Sequence, residues 1–183
     1  MNKNKLIKGF SSLAWGYIFI HINIDIVIID LLPDWIGYCL LLDGILYISN
    51  HKSSAKFLRQ SCILLILASV VEEAAKIYPI SVEINLINLI VTIVSLYFHF
   101  QLLTEAASIA YRYEPLIGEK ILFLRNARTI LMTIFTVLYR YLDIYYLSLV
   151  LGLASIIIAF IIVKNLFKLR GELRLKRVIE EGF

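Results

Sequence analysis

Three side chains that can bind ions or carry protons lie close together near the outer end of the first long apolar run: His21, Asn23 and Asp25. If one helix continues through them, His21 and Asp25 share a face, because they are four positions apart. An imidazole and a carboxylate so placed could bind a divalent cation or relay a proton. The alternative is that the helix ends here and these groups meet water. We predict no resident metal or cofactor and assign no catalytic residue.

Two further pairs of polar residues are expected near the same side of a membrane. Glu72 and Glu73 close the third apolar run, and Asn85 and Asn88 open the fourth. If these helices are neighbours, the pairs would line an outward-facing cavity together with His21. Ionisable groups at such positions are site hypotheses by default, and the alternative is a rim that contacts water.

Asp43 and His99 lie inside apolar runs rather than at their ends. Counted from Trp35 at about 1.5 Å per residue, Asp43 would be about 12 Å deep in the membrane. A carboxylate at that depth must be protonated, paired or facing water. His99 has a comparable depth and is its expected partner. The pair would either take part in transport or form a hydrogen bond that fixes helix packing.

Six apolar runs must position these residues. The mean hydropathy of +0.82 and the 60% hydrophobic content exceed the values of soluble domains, which are about 45–50% apolar. A helix needs roughly 20 apolar residues to cross the hydrocarbon core. We therefore predict an all-α integral membrane bundle that forms one domain over 1–183. Its six transmembrane helices are expected at 9–29, 35–49, 57–77, 84–107, 121–142 and 146–167. The second is short, and a re-entrant segment is its alternative.

The basic residues predict the orientation of this bundle. Of the 18 Lys and Arg residues, 16 lie in the alternate gaps before the first run, after the second, after the fourth and after the sixth, or in the parts of the runs next to those gaps. Such loops stay in the cytoplasm, so we predict a plasma-membrane protein with both termini cytoplasmic. The gap at 111–128 is expected to be a loop with a short surface helix. A net charge of +4 is then a membrane feature and does not indicate nucleic-acid binding.

The C-terminal tail, 168–183, alternates basic and apolar residues. It is expected to continue the last helix into the cytoplasm or to lie on the inner leaflet. A basic surface of this kind would bind anionic lipid or a cytoplasmic protein partner. The predicted binding residues are Lys168, Arg170, Arg174, Lys176 and Arg177.

Residues 23–38 carry the most specific sequence pattern of the chain. Asn23-Ile24 is followed by LLPDWIGY at 31–38. This resembles the Ile-Leu-Pro-Asp-Phe-Ile-Gly-Tyr-like motif of small, uncharacterised polytopic membrane proteins of Gram-positive bacteria. The resemblance implies a bacterial plasma-membrane location and a multi-pass fold, and it implies no activity. Asp43 departs from that pattern, in which an apolar residue follows the motif.

Glu72-Glu73 with His99 on the next helix is similar to the CaaX-type intramembrane glutamic proteases. Those proteins combine a double Glu with an Arg, a Phe-x-x-x-His and a further His. Here Lys76 stands one position early, Ser95 occupies the Phe position, and no His follows His99. The resemblance implies an intramembrane hydrolase, which is our third hypothesis.

The length and six-span topology are also similar to the substrate-binding subunits of energy-coupling-factor vitamin transporters. Those subunits carry small residues spaced four apart on the first helix, as Ser12 and Gly16 are here. Our first hypothesis is a non-enzymatic membrane protein that binds or transports a small solute or cation. The alternative is a structural membrane protein that docks a partner or anionic lipid through its basic inner face.

Overall fold

The computed structural model describes residues 3–21, 25–26, 29–30, 33–48, 53–77, 85–141 and 145–181. This part of the chain is helical apart from one two-stranded hairpin, which confirms the predicted all-α class. The elements in chain order are α1 (Lys3–His21), β1 (Asp25–Ile26), β2 (Ile29–Asp30), α2 (Asp34–Ile48), α3 (Ser53–Ile77), α4 (Asn85–Tyr113), α5 (Pro115–Tyr141) and α6 (Tyr145–Glu181).

The first helix is shorter than predicted. It ends at His21, and the antiparallel pair of β1 and β2 follows, with Asp25 opposite Asp30. The segment 22–29 contains six Ile or Val residues. Their branched side chains favour extended backbone, and the intervening Asn and Asp compete with helical hydrogen bonds. The predicted span 9–29 is therefore wrong at Asp25, Ile26 and Ile29, which are extended, and Asp25 does not share a helical face with His21.

The predicted loop at 111–128 is also wrong. Only Glu114 separates α4 from α5, which begins at Pro115. Proline suits the first position of a helix, where its missing N–H removes no hydrogen bond. The backbone N–H of Glu114 donates to the carbonyl of Ala110 at 2.7 Å, so the chain turns tightly here. As a result, Arg125 and Arg128 lie in the middle of a long helix.

Each helix packs against the next one in the chain, and α6 packs against α1, so the helices form a closed ring. The closest approach is between α1 and α2. A Cβ atom added at Gly16 would lie 2.8 Å from the carbonyl oxygen of Gly37, and one added at Gly37 would lie 3.0 Å from that of Gly16. Small residues at such crossings let two backbones touch, as in many membrane helix pairs.

The C-terminal tail continues α6 without a break as far as Glu181. It packs antiparallel to α1: the rings of Trp15 and Phe167 meet edge to face at 6.0 Å, and Lys3 forms an ion pair with Glu180. Leu173 in this tail is fully buried. Of the two predicted arrangements, continuation of the last helix is the one observed.

Within the described residues, three helical stretches are long and apolar enough to cross a membrane: Ile87–Tyr113, Pro115–Leu138 and Leu149–Glu180. Their outer faces carry many exposed apolar side chains, which suits contact with lipid. The chain therefore has the character of a multi-pass membrane protein.

The packed core occupies one half of the bundle, measured along the helix axes. We call the end where Lys3, Glu114 and Lys176 lie the basic end, and the opposite end the far end. Lys176 ties this end together, because it donates to the carbonyl of Tyr113 and lies 3.9 Å from Glu114. Core positions reach from here to the middle of the helices. In the described parts of α4, α5 and α6, the last buried positions toward the far end are Phe98, Arg128 and Ala159.

Candidate functional site

A polar cluster lies where the packed core ends. It consists of Tyr17 and His21 from α1, His99 from α4 and Arg128 from α5, and we call it the Arg128 cluster. Arg128 Nη1 donates to His21 Nε2 at 2.8 Å. The guanidinium carbon lies 5.9 Å from the centre of the Tyr17 ring, a cation–π contact. The cluster thus joins three helices around one cationic side chain.

The hydrogen bonds of His21 define its protonation. Its Nδ1 lies 2.8 Å from the backbone carbonyl of Tyr17, which can only accept, so Nδ1 carries the proton. Its Nε2 receives the hydrogen bond from Arg128 and must therefore be unprotonated. His21 is accordingly neutral and leaves the positive charge of Arg128 uncompensated.

Tyr17 and His99 form the floor of the cluster. The Tyr17 ring stacks on His21, with the ring centres 5.5 Å apart, and its hydroxyl lies 3.1 Å from His99 Nδ1. The edge of His99 faces His21, with centres 6.1 Å apart. Both Tyr17 and His99 are buried, at 1% and 4% exposure. These rings fix the positions of the polar atoms around Arg128.

A cavity of about 210 Å³ opens beside the cluster, between α2, α4 and α5. Its polar walls come from His99, Arg128 and the hydroxyl side chains of Tyr38, Thr92, Ser95 and Thr129. The remaining lining is apolar: Val91, Leu96 and Met132. A small concave site with a few convergent polar groups is the usual form of a solute-binding site.

Arg128 is the only described cation in this lining, and it is only 7% exposed. Within the part of the chain that the structure describes, no carboxylate lies within 4.0 Å of it, and its one hydrogen bond goes to His21. Buried guanidinium groups normally pair with a carboxylate, because an uncompensated charge in low dielectric is costly. The cavity therefore contains a positive charge without a fixed counter-ion among the described residues.

Of the predicted site residues, the structure brings His21 and His99 together. The expected partnership of Asp43 and His99 is wrong. Asp43 is exposed and accepts a hydrogen bond from Ser12 at 2.7 Å, whereas His99 is bonded to Tyr17. The Asp43 side chain lies on the face of α2 that contacts Ser12 of α1 at the surface, so it does not reach His99 in the core.

The other predicted site residues do not line the cavity in the described part of the chain. Glu72 is exposed and Glu73 half-buried near the end of α3. Asn88 is exposed one turn before Thr92, and its backbone carbonyl accepts the Thr92 hydroxyl at 2.8 Å. Asn85 begins α4 and Asp25 lies in β1, but their side chains, like the whole of Asn23, lie outside the described residues.

The five predicted lipid- or partner-binding residues divide into two groups. Arg170 donates to Ser11 at 3.4 Å, Arg177 donates to Asn4 at 2.6 Å, and Lys176 is held at the turn between α4 and α5. These three contact the protein itself. Lys168 and Arg174 are exposed to the surroundings of α6.

Sequence reasoning missed the central residue of this site. Arg128 stands seven positions into the predicted fifth span, where a charged residue signals a site. Its neighbour Arg125 makes the pair resemble part of a basic cytoplasmic loop instead. Tyr17 carried a weaker signal, since it lies one helical turn before His21 and could be expected on the same face. Nothing in the sequence pointed to Tyr38 or Ser95.

No group of three or more His, Cys, Asp and Glu side chains in the described segments is arranged to hold a metal ion. The polar groups gathered here are one guanidinium, hydroxyl groups and neutral rings. Comparisons with protein-family models, with curated proteins and with solved structures find no match for this chain.

Proposed function

We propose that this chain is a multi-pass plasma-membrane protein that binds, and in that way carries, a small solute in the cavity beside Arg128. The observation that supports this is a buried guanidinium in the wall of a 210 Å³ cavity, with no carboxylate of the described residues within 4.0 Å of it. A cation is a poor ligand for such a site, because Arg128 repels it in a low dielectric. Of the two ligand classes predicted from the sequence, the solute is the better supported.

The proposal includes an orientation. With both termini in the cytoplasm, the basic end faces inward, in keeping with the distribution of Lys and Arg. The far end then faces outward, and the cavity lies at the limit of the core on that side. Solutes would reach Arg128 from outside the cell between the less closely packed halves of α4 and α5.

Equilibrium dialysis of the protein in nanodiscs against a deproteinised cell extract tests this function. Mass spectrometry would show one or more small solutes enriched on the wild-type protein. Val91→Phe fills the cavity and should lose the enrichment. Ile93→Phe is the matched control, because Ile93 lies on the same helix and is 57% exposed away from the cavity. No enrichment on the wild type, or equal enrichment on Val91→Phe, would contradict the proposal.

A second function has support from the basic end. Lys168 and Arg174 are exposed on α6, close to the level at which Arg170 contacts α1. Exposed cations near an inner membrane surface attract anionic lipid heads, each by about 1 kcal/mol. We propose lipid or partner docking by these two residues as the alternative role. It is compatible with solute binding because it uses the opposite end of the bundle.

A further inference from the structure

We propose that the solute is a small monocarboxylate and that Arg128 binds its carboxylate group, an inference that rests on the proposed function. Three features of the cavity support it: the guanidinium donors that no described residue accepts, the charge balance of the Arg128 cluster, and the apolar part of the lining.

The first feature is hydrogen bonding. A guanidinium has five N–H donors in a planar fork, and Arg128 uses one nitrogen, Nη1, to reach His21. Among the described residues, no protein acceptor takes the other donors, although the side chain is more than nine-tenths buried. The fork matches the two oxygens of a carboxylate, which accept two parallel hydrogen bonds. A ligand carboxylate would satisfy donors that the described residues leave unmatched.

The second feature is charge. His21 is neutral, because its Nε2 accepts from Arg128 and its Nδ1 donates to a carbonyl. Among the described residues that line the cavity, Arg128 is therefore the one charged group to balance. A monocarboxylate neutralises it, whereas a phosphate monoester, with a charge of about −1.5 to −2, leaves buried negative charge in excess.

The third feature is the apolar wall and the size of the cavity. Val91, Leu96 and Met132 face the same space as Arg128. A carboxylate alone would leave these side chains against water, so an aliphatic tail completes the fit. Sites for drug-sized ligands have volumes of about 300–1,000 Å³, and this cavity is smaller. The ligand class is therefore a short aliphatic acid of a few carbon atoms.

Radiolabelled butyrate, measured by equilibrium dialysis on the nanodisc protein at pH 7, is the direct probe. We expect butyrate to bind about 30-fold or more tightly than butyramide or butylamine, because only the carboxylate neutralises the guanidinium. Chloride and phosphate at equal concentration should not displace it. Leu96→Phe should weaken butyrate more than acetate, since it shortens the apolar part of the cavity without touching Arg128.

Arg128→Lys keeps the charge and removes the fork, so butyrate should bind about tenfold or more weakly. Arg125→Lys is the matched control: it lies one turn away on α5, donates to Thr104 at 2.9 Å, and stacks on Phe100 rather than lining the cavity. The Arg125→Lys variant should bind butyrate with the same affinity as the wild type. Thermal unfolding of each variant checks the fold, and Leu96→Phe supplies the test if Arg128→Lys does not fold.

The outcomes separate this inference from the proposed function. Equal binding of butyrate and butyramide, or equal displacement by chloride or phosphate, would overturn the carboxylate assignment. Enrichment of extract solutes without any binding of butyrate or acetate would also overturn it and leave solute binding standing. A protein that enriches no solute and binds no probe would contradict both.

Discussion

Replacing Gly16 with alanine tests whether the contact between α1 and α2 holds the bundle together. The new Cβ would lie 2.8 Å from the carbonyl oxygen of Gly37 and 2.7 Å from Cδ2 of Leu41. The Leu41 side chain can rotate, but the carbonyl is part of the α2 backbone. Ordinary contact begins at 3.4 Å, so the two helices must move apart by about 0.6 Å at this point.

The expected magnitude follows from two opposing effects. Overpacking a closely packed contact costs about 1–3 kcal/mol of unfolding free energy. Alanine in place of glycine also stabilises a helix by about 1 kcal/mol. Gly152 in α6 isolates the second effect, because a Cβ added there meets nothing within 4 Å. The unfolding free energy of Gly152→Ala should therefore exceed that of Gly16→Ala by about 1–3 kcal/mol.

Reversible unfolding in mixed micelles, followed by circular dichroism, measures both variants against the wild type. Gly16→Ala should also weaken solute binding, because Tyr17 is the next residue in α1 and His21 lies little more than one turn further. Gly152→Ala should leave binding unchanged. Equal stabilisation by the two substitutions would show that α1 and α2 are not in backbone contact, and it would refute this reasoning.

Three other predictions concern the tail, the basic end and Asp43. Leu173→Ala should cost about 2–5 kcal/mol of stability in the same micelle assay, whereas Leu175→Ala, at 57% exposure, should cost little; equal costs would contradict the packing of the tail on the bundle. Replacing Lys168 and Arg174 together with Gln should reduce the anionic lipid retained in native mass spectrometry without changing stability, and unchanged retention would contradict the docking role. Asp43→Asn should leave butyrate affinity unchanged, because Asp43 is bonded to Ser12 away from the cavity, and a large loss of affinity would place it in the site.

Much of the fold could be predicted because apolar runs of sufficient length permit little else. The positions of α2 to α6 follow the predicted runs, since a helix satisfies its interior backbone hydrogen bonds within the apolar run itself. The two errors at helix ends have local causes. The β-branched residues after His21 replace helix with a hairpin, and Pro115 starts a new helix directly after Glu114. A hydropathy value is an average over many residues, so it does not show either of these local signals.

The site could be predicted only in part. His21 and His99 stand out as ionisable groups in apolar sequence, and that argument found them. Arg128 was missed because its neighbour Arg125 made the pair resemble a basic loop. Its contact with His21 joins residues 107 positions apart in the chain. Such a contact depends on which helices are neighbours in the ring. The residue pattern of a single helix does not show which helices those are.

The structural cost of Arg128 is the strongest reason to assign it a role in binding. A guanidinium inside an apolar bundle loses its hydration, and a neutral imidazole with an aromatic ring replaces only part of it. If Arg128 served packing alone, an apolar side chain of similar volume would stabilise the bundle at least as well. If Arg128 instead formed a structural ion pair, a carboxylate on a neighbouring helix would neutralise it. The described residues of the cluster supply neither, and they leave the unmatched donors beside a cavity. The proposed ligand would explain this arrangement, because it would carry the counter-charge that the described residues do not supply.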